Sequence, residues 1–320
     1  MKLLITRAAL AEAGSLPPAV EPMLYDPAHP PSGFDAAFLS RELFSGGSRD
    51  APPPAWRIFV ESLVANPGLQ WLQIHSAGAD RPVYRELMAR GVRVTTSAGA
   101  NAVAVAQSAV AMLMGLSRGL PGWVEAQAAR RWSPAKLPFP PDLAGQRATV
   151  VGMGPVGQEI GRLLAAVGLT VRGLSRSARA VPPEGFVSAG VYADLAGLLP
   201  ETDWLVLACP LAEATRGLLG AGQIAALPKG AGLVNVSRGG VADEAAVRAA
   251  LESGQLMGAY VDVFSQEPLP PDSPWWSTPN TIISSHAAGP AAGNMMRAAR
   301  IFRDNLDRFL AGGALVNEVR

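Results

Sequence analysis

The segment that most constrains the fold runs from Ala148 to Val167. A short β-rich run, Ala148 to Val151, ends in Gly152-Met153-Gly154-Pro155-Val156-Gly157, which fits G-x-G-x-x-G. Ile160, Leu163, Leu164 and Val167 then recur at i, i+3, i+4 and i+7, one face of an amphipathic helix. Glycine hexapeptides occur by chance, but strand and helix on either side give this one a physical meaning. Gly152 permits the tight turn, Gly154 lets backbone approach a pyrophosphate, and Gly157 lets the helix pack against the strand. The helix N-terminus adds free amides and a positive dipole end, with Pro155 and Val156 in its first turn.

The same β–α rhythm continues on both sides. Leu3 to Thr6, Gln70 to His75 and Val92 to Thr95 read as strands, with helical segments at Trp56–Val64 and Pro82–Ala89 between them. Residues 12–54 are Pro-rich and read mainly as loops. Strands follow at Val171–Leu174, Trp204–Cys209, Gly232–Val236, Gly258–Phe264 and Thr281–Ser285. A terminal helix carries Met295, Ala298, Phe302, Leu306 and Phe309 on one face. Alternation of this kind predicts α/β architecture with parallel sheets covered by helices on both faces. A Pro-rich linker or arm is expected from Pro134 to Pro141.

Composition narrows the class. Of 320 residues, 49% are apolar and 17% charged, which excludes intrinsic disorder. A net charge of +1 offers no global attraction to nucleic acid or anionic membrane. The lone Cys209 excludes an internal disulfide framework and a thiolate metal cluster, and no metal site is expected. The apolar stretch Ala98–Leu116 is interrupted by Asn101, Gln107 and Ser108 and reads as a buried helix. With no secretory core behind Met1, a cytoplasmic globular protein is expected.

The strand after the glycine turn ends in Gly173-Leu174-Ser175-Arg176-Ser177, without the carboxylate that usually binds the ribose of NAD. An arginine between two hydroxyls suits a 2′-phosphate, so NADP(H) is the preferred cofactor, with NAD(H) as the alternative. Arg176 stacking on adenine, or turned into water, is the other reading.

Further along, Leu233-Val234-Asn235-Val236-Ser237-Arg238-Gly239-Gly240 and Gly258 to Pro270 resemble the signatures of the D-isomer-specific 2-hydroxyacid dehydrogenases. Ser273-Pro274-Trp275-Trp276, Pro279-Asn280 and Ser285-His286-Ala287-Ala288-Gly289 complete the match in the family's order. The resemblance implies two Rossmann- or flavodoxin-like doubly wound domains with a cleft between them. Residues 1–98 with 288–320 would bind substrate, and 99–287 the dinucleotide. It implies hydride transfer between a nicotinamide and a small 2-keto acid or D-2-hydroxy acid, with glyoxylate and hydroxypyruvate the first substrates to test.

That chemistry needs a cation for the substrate carboxylate and carbonyl, a proton donor for the developing alkoxide, and a group that tunes the donor. Arg238 and His286 each follow a strand, and the resemblance sets Glu267 against His286, favouring imidazolium. Arg238, Glu267 and His286 are thus the catalytic candidates. The resemblance also sets Cys209, Pro210, Thr215, Val236, Ser237, Arg238, Asp262 and His286 along the cofactor. Ala77 and Gly78 resemble the loop whose amides bind the substrate carboxylate, together with Arg238 and His286. His75 is either structural or lines the cleft. Two positions depart from the pattern: Gln107 stands where Glu is common, and Ser285 replaces a frequent Pro. Family members are usually homodimers built through the cofactor domain, which makes helix 100–117 and the Pro-rich arm candidate contacts. The family also contains nicotinamide-sensing corepressors, so a binding scaffold with little turnover is the alternative function.

Overall fold

The computed structural model describes residues 1–47, 51–134 and 139–319, so residues 135–138 of the expected Pro-rich arm lie outside the described residues. The chain divides into two compact units, Met1–Asn101 with Ala291–Arg320, and Ala102–Pro290.

The first unit contains β1 (Lys2–Ile5), β2 (Glu21–Leu24), β3 (Ala36–Leu39), β4 (Trp71–Ile74) and β5 (Arg93–Thr96), with helices α1 (Arg7–Ala13), α2 (Pro54–Ala65) and α3 (Pro82–Ala89). Its strands are parallel in the order β2-β1-β3-β4-β5, the flavodoxin-type winding. Strand alternation sends Leu4, Ala37 and Leu39 to a core shared with Trp56, Phe59 and Leu63 of α2. Leu3, Ile5 and Phe38 face the other way, against Phe302 and Leu306 of the C-terminal helix Asn294–Leu310. Phe302 stacks on Phe38 with ring centroids 4.7 Å apart. Both sheet faces are therefore covered, which is why the strands read as unbroken apolar runs.

Among the described residues, the second unit contains seven strands and six α-helices. The strands are β6 (Arg147–Val151), β7 (Thr170–Ser175), β8 (Phe186–Val191), β9 (Trp204–Leu207), β10 (Ala231–Asn235), β11 (Leu256–Val261) and β12 (Thr281–Ile283). The helices are α4 (Ala102–Ser117), α5 (Leu120–Ala128), α6 (Pro155–Ala166), α7 (Leu195–Leu198), α8 (Ala221–Ala225) and α9 (Glu244–Glu252). All pairings are parallel in the order β12-β11-β10-β9-β6-β7-β8. The winding reverses between β6 and β9, the switch point where open α/β sheets bind ligands at their strand C-termini.

Three strands stop two or three residues earlier than the apolar runs suggest. β9 ends at Leu207, β11 at Val261 and β12 at Ile283, where their last sheet pairings lie. The residues beyond, Cys209, Phe264 and Ser285, leave the sheet in the loops that carry the candidate site. β2, β3 and β8 were not apparent in the sequence. β2 is a mostly exposed edge strand containing Pro22, and β8 forms the other sheet's exposed edge, so neither shows a burial period. Among the described residues, no single helix is long and apolar enough to cross a membrane.

Candidate active site

The glycine turn sits where β6 meets α6. Gly152 has φ +108°, a left-handed conformation that disfavours any side chain. A Cβ at Gly157 would lie 1.7 Å from Gly152 O, so the helix start rests directly on the turn. Gly154 is the opposite case. A Cβ there would meet nothing within 4 Å, and α6 begins at the next residue with Pro155 in its first position. Open space thus lies beside the start of the helix, whose first-turn amides have no intrahelical acceptor and stand at the positive end of its dipole. These residues fit a pyrophosphate.

At the end of β7 the turn is closed by Ser175 Oγ, which donates to Ser177 O at 2.8 Å, and Arg176 and Ser177 are exposed. A second arginine was missed in the sequence. Arg179 donates from Nη2 to Met153 O at 2.9 Å, tying this loop to the glycine turn. Its signal was the spacing Ser-Arg-Ser-Ala-Arg, which places two cations on one short loop.

The three catalytic candidates and Asp262 come together in the second unit. Arg238 follows β10, half-buried, and donates to Ser237 O at 2.7 Å. The next residue, Gly239, lies against the Phe264–Ser265 backbone, where a Cβ would approach to 2.1 Å and 2.2 Å. This contact holds the Arg238 loop against the one that carries Glu267. Glu267 accepts the Phe264 amide on Oε1 at 3.0 Å and meets His286 Nδ1 with Oε2 at 2.9 Å. Burial alone would raise the Glu267 pKa. The bond and charge of His286, the Phe264 amide and the charge of Arg238 outweigh burial and hold the carboxyl below its ordinary range.

His286 stands three residues beyond β12 at φ +53°, a left-handed conformation uncommon outside glycine. Asp262, only 3% exposed just past β11, secures that turn. Its backbone carbonyl accepts the His286 amide at 2.9 Å. Its Oδ1 accepts Ser284 Oγ at 2.6 Å, Ala287 N at 2.7 Å and Ala288 N at 3.0 Å. Desolvation of the buried carboxyl raises its pKa, against the opposing effect of those bonds and of the nearby His286 charge. With Nδ1 committed to Glu267, Nε2 is the His286 nitrogen that can exchange a proton with a ligand.

The remaining positions act largely through backbone shape. Cys209 follows β9, and burial pushes its thiol up to about 11, which leaves it unreactive. Thr215 Oγ1 accepts Ala212 N at 2.8 Å and donates to Pro210 O at 2.6 Å, closing the loop after Pro210. Ser237 donates from N and Oγ to Asn235 Oδ1, at 3.1 Å and 2.9 Å, beside the half-buried Val236. In the first unit, the loop after β4 is tied by Ser76 Oγ donating to Gly78 O at 2.8 Å, with Ala77 exposed. His75 precedes that loop, and its Nδ1 lies 3.2 Å from Leu39 O. Burial pushes its pKa down to about 4, helped by the charges of Arg41 and Arg81, so it is neutral at pH 7 and carries no acid proton there. Gln107 lies on an exposed face of α4.

Comparison with known proteins adds identity to this geometry. Residues 110–288 match the family model described as "D-isomer specific 2-hydroxyacid dehydrogenase, NAD binding domain". A glyoxylate reductase of Korarchaeum cryptofilum is 33% identical over 263 residues, covering 80% of this chain and 77% of its own. The solved D-isomer specific 2-hydroxyacid dehydrogenase of Xanthobacter autotrophicus, in complex with NADPH and MES, is 29% identical with a TM-score of 0.78, over 100% of this chain and 98% of its own. An NADPH-dependent glyoxylate/hydroxypyruvate reductase of Sinorhizobium meliloti, solved with NADP and sulfate, is 27% identical with a TM-score of 0.76, over 99% and 98% of the two chains.

Proposed function

The chain belongs to the D-isomer specific 2-hydroxyacid dehydrogenase family, and on that premise we propose that it is an NADPH-preferring reductase of small 2-keto acids, glyoxylate and hydroxypyruvate foremost. It is an oxidoreductase acting between a nicotinamide cofactor and 2-keto or 2-hydroxy acids. The observation that carries the reading is the 2.9 Å His286–Glu267 pair, within the field of Arg238, in the unit that also carries the phosphate turn. The relatives compared above are named as enzymes, which supports turnover over a binding scaffold.

When bound, the reduced nicotinamide supplies the hydride. Arg238 offers its guanidinium to the substrate carboxylate and polarises the adjacent carbonyl, and the Ala77 and Gly78 amides are the carboxylate donors proposed for the other unit. His286 gives the Nε2 proton to the carbonyl oxygen as it becomes alkoxide, and takes it back in the oxidative direction. Glu267 holds the ring at Nδ1 and stabilises its charged form. Asp262 holds the turn that presents His286. The unit of residues 102–290 takes the cofactor role, and the other unit the substrate role.

For the cofactor, Gly152, Gly154, Pro155, Val156 and Gly157 would hold the pyrophosphate. Ser175, Arg176, Ser177 and Arg179 would hold the 2′-phosphate of NADPH. Cys209, Pro210, Thr215, Val236, Ser237 and Asp262 would line the remainder. The chain is further proposed to form a homodimer through α4 and the segment after it. Val103 and Met114 of α4, Trp123 and Val124 of α5, and the 94% exposed Trp132 are exposed apolar side chains that a second copy would cover. A cytoplasmic setting is part of the proposal, and the free thiol of Cys209 is compatible with it.

A matrix of NADH and NADPH against glyoxylate, hydroxypyruvate, pyruvate and bulkier 2-keto acids tests the reading. Arg176→Ala and Arg179→Ala should each raise the KM for NADPH about 3- to 10-fold, the exposed position tempering a charge-assisted bond, and leave NADH unaffected. An NADH preference in the wild type would overturn the cofactor assignment.

A further inference from the structure

We propose that Glu244, which need touch neither substrate nor cofactor, is a positioning residue that sets Glu267 against His286. The proposal deepens the reading above and rests on His286 as the proton donor.

Glu244 is the first residue of α9, where a carboxylate would ordinarily serve the helix terminus. That role is already filled. Asp243 Oδ1 accepts the Ala245 and Ala246 amides at 3.0 Å and 3.1 Å, capping the helix. The Glu244 side chain instead reaches across to the segment after β11. Its Oε1 accepts the Ser265 amide at 2.5 Å and its Oε2 accepts the Trp275 indole N–H at 2.8 Å.

Those two bonds bracket Glu267 in the chain, one on each side. Trp275 is 3% exposed and packs edge-on against Phe264, ring centroids 5.8 Å apart. The Phe264 amide is the group that orients Glu267 through Oε1, leaving Oε2 for His286. The Glu244 carboxylate is therefore linked to His286 through Ser265 and Trp275, Phe264 and Glu267. Gly239, next to Arg238, presses on the same Phe264–Ser265 backbone. Removing the Glu244 oxygens would leave a buried indole donor without its acceptor and release the Ser265 amide. Both losses fall on the segment that fixes the Glu267 carboxylate. Glu267 controls which His286 nitrogen carries a proton, so its displacement has a chemical signature that loss of stability alone does not have.

The test compares Glu244→Ala, Glu244→Gln and Trp275→Phe with wild type. The readouts are the pH profile of kcat/KM with the best 2-keto acid, the ring 15N signals of His286, NADPH binding and thermal melting. With three histidines in the chain, the ring signals are assignable by His29→Gln and His75→Gln controls. Glu244→Ala should lower kcat roughly tenfold or more, toward the about 100-fold that a 1 Å misplacement can cost, with NADPH binding retained. The pH profile of kcat/KM should change with it, because the carboxylate that orients the proton donor is displaced. The Nδ1 signal should lose its protonated character. Glu244→Gln keeps one acceptor oxygen and should fall between Ala and wild type. Trp275→Phe keeps the Ser265 bond and should shift the ring signals in the same direction by less. These two variants carry the test if Glu244→Ala does not fold. Lower melting temperatures with unchanged ring signals and pH profile would overturn the proposal. If the wild type reduces no 2-keto acid, the activity reading fails, and the ring signals still decide whether Glu244 sets the pair.

Discussion

Asp262→Ala is the perturbation that most directly tests how His286 is held. It removes one buried oxygen that accepts from Ser284 Oγ, Ala287 N and Ala288 N at 2.6–3.0 Å. Hydrogen bonds to a charged group contribute about 1.5–3 kcal/mol each, roughly 4–9 kcal/mol in gross terms. That sum overcounts, because burying the carboxylate costs several kcal/mol, a cost visible in its raised pKa. A net loss of about 2–4 kcal/mol follows, or roughly 5–15 °C in the melting of a unit this size. The same change frees the left-handed His286 turn, so kcat should fall with it. Asp262→Asn is the control, since its amide oxygen can still accept the three donors while the buried charge disappears, and it should cost under about 1 kcal/mol. Thermal melts with and without NADPH, beside kcat for glyoxylate, provide the assay. Two results would refute the reasoning: an Ala variant that melts and turns over like wild type, or Asn and Ala variants equally destabilised. The second would show that the charge, and not the acceptor oxygen, holds the turn.

Two further outcomes are expected. Glu267 is held below the ordinary carboxylate range, so its contribution is present above the unfolded value near about 4.3 and lost as pH falls through the lower folded value. Urea melts of wild type and Glu267→Gln should differ at about pH 7 and converge toward about pH 3, and a gap that widens in acid would contradict this. Gly157→Ala drives a methyl into Gly152 O and should destabilise by about 1–3 kcal/mol or more, whereas Gly154→Ala meets open space and should melt like wild type. Only the second should weaken NADPH without a stability loss, as titration calorimetry would show.

Much of the fold was written in local pattern. Val150, Val151, Leu205, Leu207, Leu233 and Val234 are buried strand residues whose apolar runs are visible without coordinates. The helix after Gly157 repeats at 3.6 residues because one face alone meets the sheet. The strands that escaped notice are those lacking such a signature. β2 is a mostly exposed edge with a proline, and β8 exposes much of its length, so neither imprints alternation on its residues. β3 is fully buried but only four residues long, within a loop-rich stretch.

The sequence by itself determined the chemistry on offer: a glycine turn between strand and helix, an arginine and a histidine after strands, and Arg176 where NAD sites usually carry a carboxylate. Local propensity and spacing suffice there, because each feature lies within one β–α step. Tertiary structure alone decided how those groups are held. Asp262 and the 284–288 turn, Glu244 and Trp275, and Arg179 and Met153 are separated by about 20–30 residues and meet only because parallel strands end side by side. His75 shows the same division from the other side. Its identity permits acid–base work, and only burial beside Arg41 and Arg81 pushes its pKa down to about 4. Environment is a property of what surrounds a side chain in space, so it has no trace in the neighbouring letters.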